Sequence, residues 1–555
     1  MTTSKEQGTY IGFDLSTQKL KAVQLSNTLE VLAQAEVKFD SDLQGFRTFG
    51  GVNAGTQKQE FFVQPVMWVK ALDMVLDRLV VQGAELSTVV ALSGAAQQHG
   101  SIYWSHHGVQ ILGNLDPDKF LHMQIDDSAF TLTRTPIWMD GTTTKQCHEM
   151  EEAIGGRDQM VQLTGSKCYE RFTGPQIRKI YQQRPDVYEH TERISLVSSF
   201  LASIFLGAVA QIDFSDGSGM NLLDIEKKVW SQECLNACAP DLEERLGGLC
   251  SSTAILGTIS PFFVQRFNFS ANCKVIAFTG DNPSALTGMV LDSDWFVLSL
   301  GTSDTVMMTL REPPKFEEGH VFIHPTDINS YMGMLCFRNG SLVRDKFKHA
   351  EGNNSWDYFS ELLESMPRGN FGNMALHFVN QEIIPNVKGT LRWNKDCASC
   401  TPEAAKGIAK FSSPQTEVRA LIEGQMLHRR AIASDMGFLF GEKTRILATG
   451  GASANKAILQ VMADVFSAPV YVQSGTEAAL LGAAYRAKYA MYLEDVETQK
   501  LDPHDIQNYH TFFQELLPHH VQCVCEPSRD SNEIYTKMLT RWREMITVLM
   551  MQQQE

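Results

Sequence analysis

Two short segments far apart in the chain combine an acidic residue with small residues that suit phosphate binding. They are DLST (Asp14–Thr17) and GTSD (Gly301–Asp304), and each lies between two strand-like runs, at a predicted hairpin tip. Backbone N–H groups and hydroxyls at such a tip can approach phosphoryl oxygens, and a carboxylate beside them can hold magnesium. Alone, either segment is better explained as an ordinary polar turn. The pair, with a glycine-rich turn at Gly450-Gly451, favours a triphosphate gripped between two lobes.

A third acidic segment has the position of a catalytic base. Thr279–Pro283 follows the apolar run Val275–Phe278 and opens a predicted helix, which places Asp281 at a carboxyl end of a sheet. A carboxylate there can accept a hydroxyl proton during phosphoryl transfer. The alternative is that Asp281 caps the helix, with Pro283 in its first turn. Both can hold at once.

The turn Gly450–Ser453 lies between a predicted strand and a predicted helix. Exposed N–H groups and the helix dipole favour an anion or a flat polar ligand there, although a purely structural glycine turn fits equally well. Trp356 is a candidate contact for an adenine ring, or it packs at a helix start capped by Ser355.

Hydrogen-bonding side chains suited to sugar hydroxyls occur in two further segments. His99 follows Gln97 and Gln98, and Arg171 lies in YERFTG. Each residue alone is more often structural. The segment Trp138–Asp140 adds an apolar wall and an acceptor, a common arrangement in sugar sites.

Other nucleotide and metal motifs do not fit. Gly437–Thr444 resembles a P-loop, but Glu442 separates glycine from lysine and the segment precedes a strand, so we expect a plain loop. No GxGxxG follows the first strand, which disfavours a dinucleotide site. The CxxC at Cys397–Cys400 lacks a second pair and is better explained as a loop with free thiols.

Composition narrows the class of protein. The chain of 555 residues is longer than one hydrophobic core usually supports, so we expect two domains. Its net charge of −16 argues against a surface that binds nucleic acid or an anionic membrane. The polar N-terminus and the lack of a long apolar run predict a soluble cytoplasmic protein, and the eleven scattered cysteines suit reduced thiols. The predicted partners are therefore small molecules, with no nucleic acid or membrane.

Periodicity predicts two related α/β lobes. Residues 9–291 form the first and residues 292–550 the second, with a polar insertion from about 313 to 395. The stretch Gln499–Pro527 has little periodicity and is expected to be a surface excursion before a final helix, Asn532–Met550. Further predicted elements are a helix over 65–79, a strand over 89–93, a helix over 416–436, a strand over 445–449, a helix over 455–466, a strand over 469–472 and a helix over 477–489.

Together these segments resemble the FGGY carbohydrate kinases, and within that family most closely the xylulose kinases of animals. The resemblance runs from about Tyr10 to Tyr489. The segments that carry it are FDLSTQKLK, LSGAAQQHGSIYW, WMDGTTT, YERFTGPQIRKIYQQ, FTGDNPSAL, SLGTSDT, VRALIEGQ and ILATGGASANKAILQVMADVF.

The resemblance implies a two-lobed actin-like ATPase fold of RNase H type, with ATP and sugar in the cleft between the lobes. It implies ATP-dependent phosphorylation of D-xylulose to D-xylulose 5-phosphate, with Mg²⁺ as the cofactor. The product feeds the pentose phosphate pathway. We expect the protein to be a monomer or a weak homodimer. The alternatives are a related kinase for ribulose or glycerol, or an actin-like nucleotide-binding protein without sugar transfer.

The resemblance also assigns roles. Asp281 is implied as the base and Asp14 as the acid near magnesium. The implied sugar contacts are His99, Arg171, Asp281 and Asn282, and the implied ATP contacts are Ser16, Thr17, Gly301, Thr302, Ser303, Trp356, Gly450, Gly451 and Asn455. The chain departs from many family members at Thr142, Gln176 and Lys179, so the sugar assignment depends on the animal-type group alone.

Overall fold

The computed structural model describes residues 8–394, 408–473, 475, 477–499, 506–517 and 520–553. Two seven-stranded mixed sheets dominate these residues. The predicted loop with Cys397 and Cys400 lies outside the described residues. Within the described ranges, no helix has both the length and the apolar character needed to cross a bilayer.

The first sheet begins with an antiparallel meander and continues with strands that follow long connections. Its strands are β1 (Thr9–Leu15), β2 (Lys19–Leu25), β3 (Val31–Lys38), β4 (Val89–Ala96), β5 (Ile255–Thr258), β6 (Lys274–Ile276) and β7 (Thr279–Gly280). The order is β5-β6-β4-β1-β2-β3, and β7 pairs with β4. Asp14 lies opposite Lys21 on β2 and beside Ala95 on the parallel strand β4.

The second sheet repeats this plan. Its strands are β8 (Trp295–Leu300), β9 (Asp304–Leu310), β10 (His320–Ile323), β11 (Tyr331–Phe337), β12 (Arg445–Thr449), β13 (Val470–Gln473) and β14 (Val521–Cys525). The order is β10-β11-β9-β8-β12-β13-β14. In both sheets a first strand pairs antiparallel with its hairpin partner and parallel with the strand after the long connection. The two lobes are therefore topological repeats, as the sequence predicts.

Helices cover both sheets. The main helices are α1 (Pro65–Val81), α2 (Thr144–Ala153), α3 (Arg157–Thr164), α4 (Thr173–Gln183), α5 (Val197–Leu206), α6 (Pro261–Phe267), α7 (Asp281–Met289), α8 (Ser341–Ala350), α9 (Trp356–Glu364), α10 (Pro414–Asp435), α11 (Lys456–Phe466), α12 (Ala478–Gln499), α13 (Tyr509–Gln514) and α14 (Ser531–Met551).

Short strands and helices connect these elements. They are Asn53–Ala54, Phe61–Val63, Ser101–Ser105, Thr135–Pro136, Thr191–Leu196, Ile212–Asp213, Leu223–Asp224, Val229–Trp230, Leu249–Cys250, Met374–Phe378 and Gly389–Trp393 among the strands, and Phe39–Asp42, His106–Leu112, Pro185–Glu189, Phe214–Gly217, Gln232–Cys238 and Leu242–Leu246 among the helices.

Helix α12, from the second half of the chain, packs against the first sheet. It contacts β1, β4 and α7. Its Arg486 is fully buried and donates to the carbonyls of Gly94 (2.7 Å), Ala277 (2.8 Å) and Ser252 (3.0 Å). A buried guanidinium needs such partners, because unpaired donors in a core are costly. The division at 291/292 stays a prediction, since the later part of the chain returns to the first lobe.

Two regional predictions are wrong. Residues 313–395 are not simply a polar insertion, because they contain β10 and β11 of the second sheet as well as α8 and α9. The stretch Gln499–Pro527 is not only a surface excursion, since α13 buries Tyr509 and Phe513 and β14 pairs with β13. Tertiary burial orders both regions where local periodicity is weak. Gly437–Thr444 is a loop between α10 and β12, as predicted.

Candidate active site

The first hairpin tip holds a buried carboxylate beside hydroxyl groups. Asp14 is 4% exposed, and Ser16 Oγ donates to its Oδ1 at 2.8 Å. Lys21 Nζ lies 3.6 Å from its Oδ2. Burial raises the pKa of Asp14, while Lys21 opposes that shift. The tip is held from outside by Trp138, whose Nε1 donates to Thr17 Oγ1 at 2.9 Å.

The second tip has exposed small residues, but its acidic residue is buried. Thr302 and Ser303 are exposed, and Gly301 O accepts from the backbone N of Ser341 at 3.0 Å and from its Oγ at 2.6 Å. Asp304 is fully buried.

Two buried arginines hold that acid. Arg344 Nη2 donates to Asp304 Oδ1 at 2.8 Å, and Arg429 Nη2 donates to Asp304 Oδ2 at 2.9 Å. Asp304 is therefore not available to a metal, because both of its oxygens are bonded to arginine.

Asp281 follows β7 as the first residue of α7 and is only partly buried. Gly280 occupies the cap position, so the alternative that Asp281 caps this helix is not observed. The Asn282 backbone N donates to its Oδ1 at 2.8 Å. Desolvation, and secondly the charge of Asp14, raise the pKa of Asp281 to about 7. The structure thus brings Asp14 and Asp281 close enough to interact electrostatically, and gives Asp281 a pKa suited to proton transfer near neutrality.

A polar chain runs from Asp281 into the first lobe. Asn282 Nδ2 lies 3.1 Å from Asp281 Oδ1 and donates to Gln98 Oε1 at 3.0 Å. Gln98 Nε2 in turn donates to the buried carboxyl of Asp216 at 3.3 Å, and Ser198 Oγ donates to the other oxygen of Asp216 at 2.5 Å. This chain fixes the orientation of Asn282 beside the candidate base.

His99 is a buried neutral ring. It stacks on Phe172 with centroids 4.4 Å apart, and its Nδ1 lies 2.9 Å from the carbonyl oxygen of Gly219. Burial, and secondly the charge of Arg171, lower the pKa of His99 to about 3. Because Nδ1 faces a carbonyl, we assign its proton there, which leaves Nε2 as a hydrogen-bond acceptor.

The second lobe contributes a histidine beside these residues. His320 on β10 contacts Arg171 through Nε2, and its ring centroid lies 6.3 Å from that of His99. His320 is 3% exposed, and its Nδ1 has no hydrogen-bond partner among the described residues. Since Arg171 donates to Nε2, the free Nδ1 carries the proton and is a donor.

Sequence reasoning missed His320. No local motif marks it, and only the pairing of β10 with β11 places it near the sugar-binding candidates. Other contacts join the same two regions, since Lys167 Nζ lies 2.7 Å from Glu318 Oε1 and Ser218 Oγ accepts from the backbone N of Ile323 at 3.0 Å. The candidate sugar residues therefore lie at a boundary between the lobes.

Three of the candidate nucleotide residues line a cavity of about 570 Å³ in the second lobe, whereas Gly450 and the residues of the two tips do not line it. Trp356, Gly451 and Asn455 all contribute to its wall. Asn455 caps α11 through Ile458 N (3.1 Å), and its Nδ2 donates to Ser360 Oγ at 2.9 Å. The structure thus brings these three residues together, although sequence separates Trp356 from the other two.

The turn at Gly450 allows a close approach of two strand ends. Gly450 has φ +81°, and a Cβ there would lie 2.7 Å from Leu300 O. A larger residue would be strained and would collide with the strand that leads into the second tip. Trp356 is 37% exposed and follows Ser355, which caps α9 by accepting from Tyr358 N, so its two predicted roles are compatible.

Comparison with known proteins decides the family. Sequence models of the FGGY family of carbohydrate kinases match residues 122–288 (N-terminal domain) and 296–491 (C-terminal domain). The chain belongs to the FGGY family of carbohydrate kinases. This confirms the resemblance and the activity class predicted from sequence.

Individual relatives agree with this membership. A xylulose kinase of Rattus norvegicus is 48% identical over 87% of this chain and 88% of its own length. Xylulose kinase 2 of Arabidopsis thaliana is 43% identical over 86% and 87%, respectively. The crystal structure of ligand-bound xylulose kinase from Lactobacillus acidophilus matches with a TM-score of 0.74 and 17% identity, covering 98% of both chains, which supports the fold alone. The two-lobed actin-like fold predicted for this FGGY kinase is thereby confirmed.

Proposed function

We propose that the protein transfers the γ-phosphoryl group of ATP to the C5 hydroxyl of D-xylulose, giving D-xylulose 5-phosphate and ADP. The sugar assignment is supported by identity to curated xylulose kinases over most of the chain. The chemistry is carried by one observation. A partly exposed carboxylate, Asp281, lies at a carboxyl end of the first sheet with its pKa raised to about 7.

In the proposed step, the Asp281 carboxylate takes the proton of the C5 hydroxyl as that oxygen bonds to the γ-phosphorus. The bond from phosphorus to the β–γ bridging oxygen breaks, and ADP leaves. Hydrogen-bond donors that stabilise the transferring group are typically the larger part of such catalysis. We assign this role to the two tips, through Ser16 and Thr17 in the first and Gly301, Thr302 and Ser303 in the second.

Sugar orientation is assigned to groups around the boundary between the lobes. His99 offers an acceptor at Nε2 and Asn282 an acceptor at Oδ1, because the Asn282 amide nitrogen already donates to Gln98 and Asp281, while Arg171 offers donors. His320 adds a second donor at Nδ1, which has no partner among the described residues. A site that pairs each sugar hydroxyl discriminates against analogues that lack one, because its buried polar groups are then left unpaired.

The nucleotide is assigned to the cavity of the second lobe. Trp356 would contact the adenine ring, and Gly450, Gly451 and Asn455 would line the adenosine side. The volume of about 570 Å³ is in the range of small-ligand sites. The turn at Gly450 lies against the strand end that leads into the second tip, so a nucleotide in this cavity can extend its phosphates toward Gly301.

Magnesium is assigned to Asp14. Its donor set fits, since Mg²⁺ in kinases is held by one or two carboxylates together with substrate phosphates and water. Burial penalises the charge of Asp14, and only Lys21 and Ser16 oppose that penalty, so a cation there is favourable. When bound, the ion would neutralise phosphate charge. No group of three or more metal-binding side chains occurs in the described part of the chain.

The test is release of ADP by the purified protein with ATP and Mg²⁺ across a panel of D-xylulose, D-ribulose, glycerol and no sugar. We expect rapid release with D-xylulose alone. Faster turnover of ribulose or glycerol would contradict the sugar assignment. Equal release without sugar would contradict a kinase and favour an actin-like nucleotide switch.

A further inference from the structure

A second cavity, of about 770 Å³, lies in the first lobe. No residue given a sugar, ATP or magnesium role under the proposed function lines it, although Asp140, from the segment that the sequence suggests for a sugar site, does. Four cationic side chains line it, namely Arg47, Arg134, Lys179 and Arg184. This is unusual for the chain, which has 64 acidic and 48 basic residues. A local excess of cations on an acidic protein attracts anions and needs an explanation.

Two of these cations have no carboxylate partner. Among the described residues, neither Arg47 nor Arg134 forms an ion pair, and the Arg134 guanidinium lies 5.1 Å from the centroid of the Phe62 ring. Lys179 Nζ is 3.9 Å from Asp140, and Arg184 Nε is 3.7 Å from Asp186, on the exposed surface. The charges of the cavity are therefore incompletely neutralised by the protein.

The two carboxylates in the wall are already engaged. Asp140 Oδ1 accepts from Thr142 N at 3.0 Å and from Gln176 Nε2 at 2.9 Å. Glu60 Oε2 accepts from Gln57 N at 3.0 Å. These bonds hold both carboxylates in the wall of the cavity. The guanidinium groups of Arg47 and Arg134 are therefore available to an anionic ligand.

The wall also contains an unpartnered buried acceptor. Gln176 is 1% exposed, and its Oε1 has no hydrogen-bond partner among the described residues. Its amide nitrogen is fully used, donating to Asp140 and to Glu170 O. A buried amide oxygen without a donor is costly, and a ligand hydroxyl would supply one.

We propose that this cavity binds a small phosphate ester that carries hydroxyl groups, of the sugar phosphate class. The arginine fork matches the oxygens of a phosphate with two parallel hydrogen bonds, which suits Arg47 and Arg134. Gln176 accepts from a sugar hydroxyl. The rings of Phe61 and Phe62 supply apolar wall, and the volume suits a ligand of this size. The proposal does not depend on the identity of the kinase substrate.

The test is isothermal titration calorimetry of the full-length protein with D-ribose 5-phosphate, inorganic phosphate, AMP and D-ribose. We expect D-ribose 5-phosphate to bind and D-ribose not to bind. The double variant Arg47→Ala/Arg134→Ala should weaken binding at least tenfold and leave the thermal midpoint unchanged, because both side chains are exposed. Arg311→Ala is the matched control, since it removes an exposed arginine that does not line the cavity.

Three results would overturn the proposal. If the double variant bound D-ribose 5-phosphate with unchanged affinity, the two arginines would not be part of the site. If Arg171→Ala abolished binding and the double variant preserved it, the ligand would be bound in the catalytic cleft. Inorganic phosphate or AMP binding more tightly than D-ribose 5-phosphate would contradict a sugar phosphate. Weaker binding by Gln176→Leu, with D-ribose 5-phosphate and not with inorganic phosphate, would support the hydroxyl contact.

Discussion

The two hairpin tips have the same topology, but their acidic residues have different environments. Asp14 is the last residue but one of β1, before the turn, and is balanced by one lysine at 3.6 Å. Asp304 begins β9, after its turn, and is bonded to two buried arginines. A repeated hairpin therefore carries a carboxylate paired with one lysine in the first lobe and a buried cluster of one carboxylate and two arginines in the second. Similar motifs in two halves of a fold do not imply similar roles.

The largest effect that separates the tips is expected from paired substitutions. Asp14→Asn removes a charge assigned to magnesium, so kcat should fall about 100-fold or more with little change in stability, since the metal contributes several kcal/mol of transition-state stabilisation. Asp304→Asn leaves two buried guanidinium groups short of a charge, which typically costs about 3–5 kcal/mol of unfolding free energy. ADP-release kinetics and urea unfolding measure the two effects.

Each variant is the control for the other, because both replace a buried carboxylate by its amide. If Asp304→Asn lost activity at full stability, or if Asp14→Asn mainly unfolded the protein, the contrast between the tips would be wrong. The further variant Arg344→Met should resemble Asp304→Asn in unfolding, since it breaks the same cluster.

The dependence of kcat/KM on pH below neutrality also distinguishes Asp14 from Asp304. Because the base acts when ionised and its pKa is about 7, kcat/KM should fall about tenfold per pH unit below that value. The charge of Asp14 contributes to that pKa, so Asp14→Asn should move this acidic limb to lower pH. Asp304→Asn should leave it in place, since two arginines neutralise that carboxylate. A limb that moves in both variants would contradict this assignment.

His320 tests whether the second lobe contributes to sugar binding. His320→Ala removes one donor from the sugar site, so KM for the sugar should rise about tenfold, equivalent to about 1.4 kcal/mol, with kcat nearly unchanged. Initial rates at varied sugar concentration measure this. His324→Ala is the control, because His324 follows the same strand but contacts Thr326. Equal effects of both variants would indicate a structural role.

The smallest effects are expected from side chains of other segments that form a hydrogen bond to each tip. Trp138→Phe removes the bond to Thr17, and Ser341→Ala removes the side-chain bond to Gly301 O. Each loss is about 1 kcal/mol, so KM for ATP should rise about fivefold in both. Titration of ATP at saturating sugar measures it. No change in Trp138→Phe would mean that the first tip needs no support from this side chain.

Local patterns predicted the parts of the site that lie on single segments. Each tip follows from two strand-like runs around small residues, and Asp281 follows from an apolar run that ends in Thr-Gly-Asp. The burial of Asp304 could not be predicted, because Arg344 and Arg429 lie 40 and 125 residues away in the chain. His320 was missed for the same reason, since its environment is set by strand pairing. Tertiary contacts decide which polar residues reach solvent.

The proposed catalysis depends most directly on Asp281, and the kinetics of the Asp281→Asn variant test this role. We expect kcat with D-xylulose to fall by about 10²–10⁴-fold, the usual contribution of a general base. Since the raised pKa means that the native state holds this proton more tightly, stability falls as pH rises from about 4 toward 7 in the parent protein. The difference in unfolding free energy between the variant and the parent protein should therefore favour the variant more at pH 8 than at pH 4. Near-normal kcat in a folded Asp281→Asn protein would contradict the assignment of the base.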